Sequence, residues 1–330
     1  MTPFQTAVLL ALGLMWGSSF LFMKVLLDEI EPPLIVASRM LIAIIVLFGL
    51  VAVLRLPMPR KRSTYGWMLF MGSAGAVIPF LLTTWGVSQI PTGRAAILNS
   101  TMPLFVVGLS VFMVGDERFT ASRVVGVIAG FFGVAVLSGA DVLQFNRQAL
   151  LGDAAILGAS LSYSAASIVA RLHLRGEHGI SLSALQMLCA FVLVAPLALL
   201  TEPISHLGRL ELKHWLALVT MSVGASSLAY WAYYWLINNA GLIKTSMVGY
   251  LLPAVGVILG WLVLSEDVGW NTLAGLLLIA SGIAFVNGMI PGLSLQSIRR
   301  QGSPPLAQPA LPGPVTNVGT KAADDSSPLG

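Results

Sequence analysis

The chain has 330 residues, of which 56% are hydrophobic and only 10% charged, with a mean hydropathy of +0.86. That balance excludes a water-soluble globular surface and leaves an integral membrane protein. The net charge of +4 is scattered through loops and calls for no nucleic-acid partner.

The apolar stretches are about 20 residues each, enough to cross a hydrocarbon core of roughly 30 Å as helices and far longer than the strands of a membrane barrel. Charge clusters and turn residues divide the chain into ten predicted spans, an all-α integral membrane protein. No Lys or Arg precedes Lys24. The basic region of a cleavable signal is therefore missing, and the first span, residues 7–26, reads as a retained helix.

Span 1 places Trp16 near its middle, followed by Gly17, Ser18 and Ser19. An indole N–H at that depth wants a hydrogen-bond partner or a wet cavity, so Trp16 reads either as cavity lining or as helix packing. Span 2, residues 33–54, holds Arg39, roughly 9 Å deep by helical rise. A mid-membrane Arg costs on the order of 2.5–3.5 kcal/mol on insertion scales, so it should snorkel, pair or face a cavity. Both a structural role and contact with substrate or gate stay open for it.

Span 3, residues 66–88, carries Pro79, Thr83 and Thr84, and span 4, residues 95–114, carries Asn99, Thr101 and Pro103. Ser and Thr often bond their own helix backbone, which makes Asn99 the stronger polar candidate. Pro79, Pro103 and, in span 9, Pro253 each delete a backbone bond, kink the helix and free carbonyls that could face a ligand. A fixed kink and a moving hinge are both readings of them. Gly126, Gly130 and Gly133 in span 5 (residues 122–139), like Gly256 and Gly260, read as ridges that let helices approach closely.

Span 6, residues 150–171, contains Tyr163, and span 7, residues 182–200, contains neutral Gln186 and the lone Cys189. A single cysteine forms no intrachain disulfide and no cysteine-based metal site. Span 8, residues 215–236, brings Ser226, Ser227 and an aromatic run of Tyr230, Trp231, Tyr233 and Tyr234. The tryptophans near span ends, among them Trp67, Trp85, Trp215, Trp261 and Trp270, read as interfacial anchors. Spans 9 (residues 245–264) and 10 (residues 270–289) follow. Residues 291–330 are rich in Pro, Gly, Ser and Ala without apolar period, the composition expected of a disordered tail.

The spans echo one another. Ala-Ser-Arg-Met-Leu-Ile-Ala at 37–43 returns as Ala-Leu-Gln-Met-Leu-Cys-Ala at 184–190, and Trp16 pairs with Tyr163, Lys24 with Arg171, Arg94 with Lys244, Pro103 with Pro253, and Glu117 with Glu266. The expected division is 1–140, 141–290 and the tail 291–330. Five spans per half would set the second half upside down relative to the first. Basic residues concentrate on the side of the N-terminus, including Arg55, Arg60, Lys61 and Arg62, so both termini are expected in the cytoplasm.

No strand precedes a Gly-rich turn, no phosphate loop is present, and the four histidines lack metal-ligand spacing, which argues against an enzyme, a metal or a cofactor. Asp153, Glu117 and Glu266 fall at span ends and read as helix-terminal or loop-pairing groups. With no carboxylate at a midplane, proton coupling is left open.

Trp16-Gly17-Ser18-Ser19-Phe20, Arg39 in Ala-Ser-Arg-Met-Leu, Pro103, the Gly-Asp-Glu turn at 115–117 and the run Gly126 to Gly133 resemble the first EamA repeat of the drug/metabolite transporter superfamily. Pro253, Ser265-Glu266 and Gly275 to Gly282 resemble the second. The resemblance covers residues 7–289 and implies two inverted five-helix repeats, a central cavity built chiefly by spans 1, 3, 4, 6, 8 and 9, and export or exchange of small organic solutes. Tyr163 in place of a second Trp and Gln186 in place of a second Arg depart from it.

The expected function is a secondary transporter of a small organic solute, an amino acid or related metabolite with aromatic or drug-like cargo in view, in a bacterial inner membrane. Its partners are that solute, the bilayer and, for assembly, a second copy in a homodimer. The expected binding residues are Trp16, Ser19, Thr83, Asn99, Tyr163, Ser227, Tyr230, Trp231 and Tyr234, with Arg39, Pro103 and Pro253 in gating or structural roles. The alternative is a non-transporting helical membrane protein, lipid-handling or signalling, which predicts a dry interior around Trp16 and Tyr163.

Overall fold

The structure, a computed structural model, describes residues 2–113, 121–143, 146–174, 176–240, 245, 248–249 and 251–286. Expectations for Glu117, the turn at 115–117, Lys244 and the tail 291–330 lie outside these. Among the described residues all regular structure is helical, within one compact unit, Met1–Leu295.

Helix α1 (Pro3–Leu26) starts at a capping box in which Thr2 and Gln5 exchange side chain to backbone bonds, with Pro3 in the first turn, where its missing N–H is no loss. Helix α2 (Pro32–Val53) also opens on prolines. Then α3 (Arg62–Gly72), a five-residue π-helical stretch (Ser73–Val77) and α4 (Ile78–Gln89) run as one continuous helix. The second long helix of this kind joins α10 (Leu212–Thr220) to α11 (Ala229–Ala240) through the π-helical stretch Met221–Leu228. Between them lie α5 (Thr92–Asn99), α6 (Met102–Met113), α7 (Ala121–Leu143), α8 (Arg147–His173) and α9 (Gly179–Thr201), and after them α12 (Leu251–Leu264) and α13 (Trp270–Val286). A six-residue 3-10 turn (Ile204–Arg209) links α9 to α10.

Six helices are long and apolar enough to cross a bilayer: α1, α2, Arg62–Gln89, α8, α9 and Leu212–Ala240. Val125–Leu137, Leu251–Leu264 and Trp270–Phe285 are shorter apolar helices.

The stretch expected as span 4 is two helices. Ser100 and Thr101 turn their hydroxyls back onto the Ile97 and Leu98 carbonyls at 2.6 and 2.7 Å, and α6 starts on Met102-Pro103. Pro103 opens a helix instead of kinking one, and Pro253 likewise stands in the first turn of α12, where a missing N–H is tolerated. Of these three prolines Pro79 sits inside a continuous helix, directly after the first π-helical stretch.

Packing follows the small residues. Helix α7 lies along α13, where a Cβ on Gly282 would come 2.6 Å from the Gly126 carbonyl oxygen, and α5 lies along α12, where one on Gly93 would come 3.1 Å from Val257 Cα. Helix α2 packs on α9. Helix α1 packs on α12 and on the Leu212–Ala240 helix, while α8 packs on α6 and on the Arg62–Gln89 helix. Buried apolar residues form two clusters, and Trp16 touches both.

Candidate functional site

Pro79 has no N–H to give the Gly75 carbonyl four residues back, so that oxygen needs another donor. It receives two from distant helices: the Tyr230 hydroxyl at 2.9 Å and Gln186 Nε2 at 3.1 Å. Gln186 Nε2 also donates to the Met71 carbonyl at 3.2 Å, and its Oε1 accepts from the Tyr234 hydroxyl at 2.9 Å. The carbonyl that proline frees is thus held by protein side chains. One residue earlier, the Ala74 carbonyl accepts from Ser162 at 2.7 Å.

The second π-helical stretch is gripped in the same manner. Trp16 Nε1 donates to the Ala225 carbonyl at 3.1 Å, and Arg39 Nε donates to the Ser226 hydroxyl. Arg39 on α2 and Gln186 on α9 therefore do matching work, each latching the irregular turn of the other long helix. Wide π turns recur at functional sites because they leave carbonyls for partners outside the helix.

Arg39 is 3% exposed. Its guanidinium carbon stands 4.0 Å over the centre of the Phe80 ring, a cation–π contact that offsets part of the burial cost. Phe80 meets Tyr163 and Tyr230 edge to face, each with ring centres 6.2 Å apart, and both hydroxyls lie within electrostatic reach of Arg39. Tyr230 also meets Trp16 at 5.9 Å. Trp16 and Tyr163 are therefore linked through Tyr230 and Phe80, and Tyr233 also meets Trp16, with ring centres 5.4 Å apart.

The remaining expected residues divide. Thr83 is buried on α4, and among the described residues its hydroxyl has no hydrogen-bond partner. Asn99 ends α5. Its backbone carbonyl, which an N–H at position 103 would have taken, and its Oδ1 each stand 3.3 Å from the Ser160 hydroxyl on α8, whose one proton also has the Ile156 carbonyl at 3.1 Å. Ser19 bonds the Trp16 carbonyl and Ser227 the Ser222 carbonyl, both within their own helices. Trp231 turns away from Tyr230 and Tyr234. It is 37% exposed and lines a cavity of about 350 Å³ with Trp235, Pro57, Glu177, His178 and Asn238. That cavity lies at the bundle end where α1 starts, since Gln5 there donates to the Asn239 carbonyl.

The opposite end is tied by charge. Arg94, expected in a loop, is buried in α5 and paired with Asp153 on α8, with Nε to Oδ1 at 2.8 Å. The Glu266 carboxylate accepts from the Thr92 N–H at 2.7 Å and the Gly93 N–H at 3.1 Å, capping α5 from the α12–α13 loop. Glu202 accepts from the Glu31 N–H at 2.8 Å at the start of α2, and Lys24 Nζ reaches the Val87 carbonyl at 3.2 Å. The expectation of helix-terminal roles holds for Glu266. Sequence gave no signal for the Arg94–Asp153 pair, whose members are 59 positions apart, nor for Phe80 beneath Arg39.

Among known families, the sequence matches the EamA-like transporter family over residues 5–139 and again over 150–288. The chain belongs to that family. This EamA-family protein is 24% identical to the uncharacterized transporter YoaV of Bacillus subtilis (strain 168), with 84% of this chain and 94% of the relative covered. It is 24% identical to protein PecM of Dickeya dadantii (strain 3937), covering 88% and 93%, and 26% identical to the uncharacterized inner membrane transporter YedA of Escherichia coli (strain K12), covering 83% and 86%. A crystal structure with 19% identity shares the fold at a TM-score of 0.61, covering 86% of this chain and 96% of that one. The EamA-family chain is a multi-pass membrane protein.

Proposed function

We propose that the protein is a secondary transporter that moves a small organic solute by alternating access between two inverted halves, 1–140 and 141–290, each of five spans. The observation that carries this reading is the pair of latches: Arg39 on the Ser226 turn and Gln186 on the Gly75 turn. Two halves that exchange equivalent grips at irregular helical turns can rock against each other without losing the bundle. Gathered at that seam are Trp16, Tyr163 and Tyr230, with Thr83 and Asn99 on neighbouring elements, and these serve as the binding face.

In this reading the end tied by Arg94–Asp153 and the Glu266 cap is the outer end, closed in this conformation, and the end bearing the Trp231 cavity is cytoplasmic. The termini lie there too, by the distribution of basic residues. A relative named as an inner membrane transporter supports the bacterial inner membrane as its place.

Flux into or out of proteoliposomes, measured over a panel of amino acids and other metabolites, tests the proposal. Substrate-dependent flux in the wild type, reduced in Trp16→Ala and Asn99→Ala with expression intact, is the expected result. Absence of flux for every compound overturns it, and unaltered flux in both variants removes these two residues from the site.

A further inference from the structure

Arg39 and Gln186 hold matching places, yet their hydrogen bonding is unequal. Gln186 is saturated, donating to the Met71 and Gly75 carbonyls and accepting from Tyr234. Arg39 uses Nε alone, on Ser226. Among the described residues its terminal nitrogens meet no hydrogen-bond acceptor and no carboxylate pairs with it, although the side chain is buried. A guanidinium left this way presents a planar fork of N–H donors and a whole charge to whatever enters. On α4, one turn beyond the Phe80 ring that Arg39 covers, the buried Thr83 hydroxyl is also without a partner.

We propose that this fork is a carboxylate-binding site and that the solute carried is a monocarboxylate with an apolar or aromatic body; the substrate class rests on the transporter reading above. A carboxylate fits the fork with two parallel hydrogen bonds and cancels the charge of Arg39. A phosphate monoester would bring a second negative charge with no cation to meet it, and buried unpaired charge is costly. A zwitterion would bring an ammonium, and among the described residues no acidic side chain pairs with anything in this cluster. The rings of Phe80, Tyr163, Tyr230 and Trp16 suit the solute's body.

The test uses the full-length protein in nanodiscs, with binding read by isothermal titration. The probes are benzoate, phenylacetate, indoleacetate and hexanoate, each beside its amide, together with phenylalanine and phenyl phosphate. At least one acid is expected to bind about tenfold more tightly than its amide, the value of one good charge-assisted pair, and more tightly than phenylalanine or phenyl phosphate. Arg39→Gln, which installs the residue α9 carries at its matching place, should bring acid and amide to within about twofold. Arg39→Lys keeps the charge without the fork and should give an intermediate ratio, which decides the matter if the glutamine variant does not fold. Equal affinity of acids and amides in the wild type, an acid preference that survives in both variants, tighter phenyl phosphate, or no binding of any acid overturns the site. Flux of neutral or zwitterionic solutes without acid preference also overturns it while leaving the transporter standing. Acid binding with no flux of any compound keeps the site and overturns the transporter.

Discussion

Gln186 Nε2 donates to the Gly75 carbonyl at 3.1 Å, joining the middle of α9 to the first π-helical turn across 111 positions of sequence. The bond exists because Pro79 withholds the N–H that a regular helix would supply. With Met71 and Tyr234, Gln186 makes three such bonds. Side-chain hydrogen bonds within helical membrane bundles average about 0.6 kcal/mol each, so Gln186→Leu should lower stability by roughly 2 kcal/mol. Tyr230→Phe, which leaves Gln186 on the same carbonyl, should cost less. Thermal unfolding in detergent checks the order; equal losses in both would mean that the Gln186 grip adds nothing.

Arg94 and Asp153 make a different prediction, because both are charged and buried. Removing one member of a buried pair strands the other, at about 3–5 kcal/mol, whereas removing both avoids that penalty. Asp153→Asn should therefore destabilise the protein more than the double variant Arg94→Gln/Asp153→Asn. A double variant as unstable as the sum of its two singles would contradict the pairing.

Much of this was legible before the fold was known. The glycine ridges announce close helix contacts because only a missing Cβ lets backbones approach to the distances seen between Gly126 and Gly282. Trp215, Trp261 and Trp270 are exposed near helix ends, as amphipathic anchors should be. The pairing of Arg94 is hidden in the sequence because Arg94 begins an apolar stretch and its partner Asp153 is 59 positions away. The aromatic run of α11 is continuous in sequence, yet neighbours on a helix point about 100° apart, so Tyr230 and Tyr234 turn inward while Trp231 turns to the cavity. The π-helical turns have no residue signature beyond small side chains. They form because distant groups, Gln186 and Tyr230 at one and Trp16 and Arg39 at the other, take up what the helix leaves open.

The Glu266 cap on α5 leads to a third outcome. A carboxylate accepting two backbone N–H groups at a helix start is worth about 1 kcal/mol, from the bonds and the helix dipole together. Glu266→Gln keeps one acceptor oxygen and should lose part of that, while Glu266→Ala should lose all of it. In flux assays the alanine variant should open the tied end more often and alter the rate; identical melting temperatures for the wild type and both variants would remove the cap from the account.

Two glycines should respond to the same substitution with opposite sign. Gly49 lies inside α2 with nothing within 4 Å of where a Cβ would stand, so Gly49→Ala should stabilise the helix by up to about 1 kcal/mol through propensity alone. A Cβ added to Gly282 would stand 2.6 Å from the Gly126 carbonyl oxygen and 2.6 Å from the Gly130 backbone nitrogen, both rigid. An alanine there must push α13 off α7, at roughly 1–3 kcal/mol of overpacking, which exceeds any gain in propensity. Melting temperatures of the two variants, side by side, decide it: a stable Gly282→Ala would mean that α7 and α13 are not held at this distance, and the same helix pair would then be free to slide during transport.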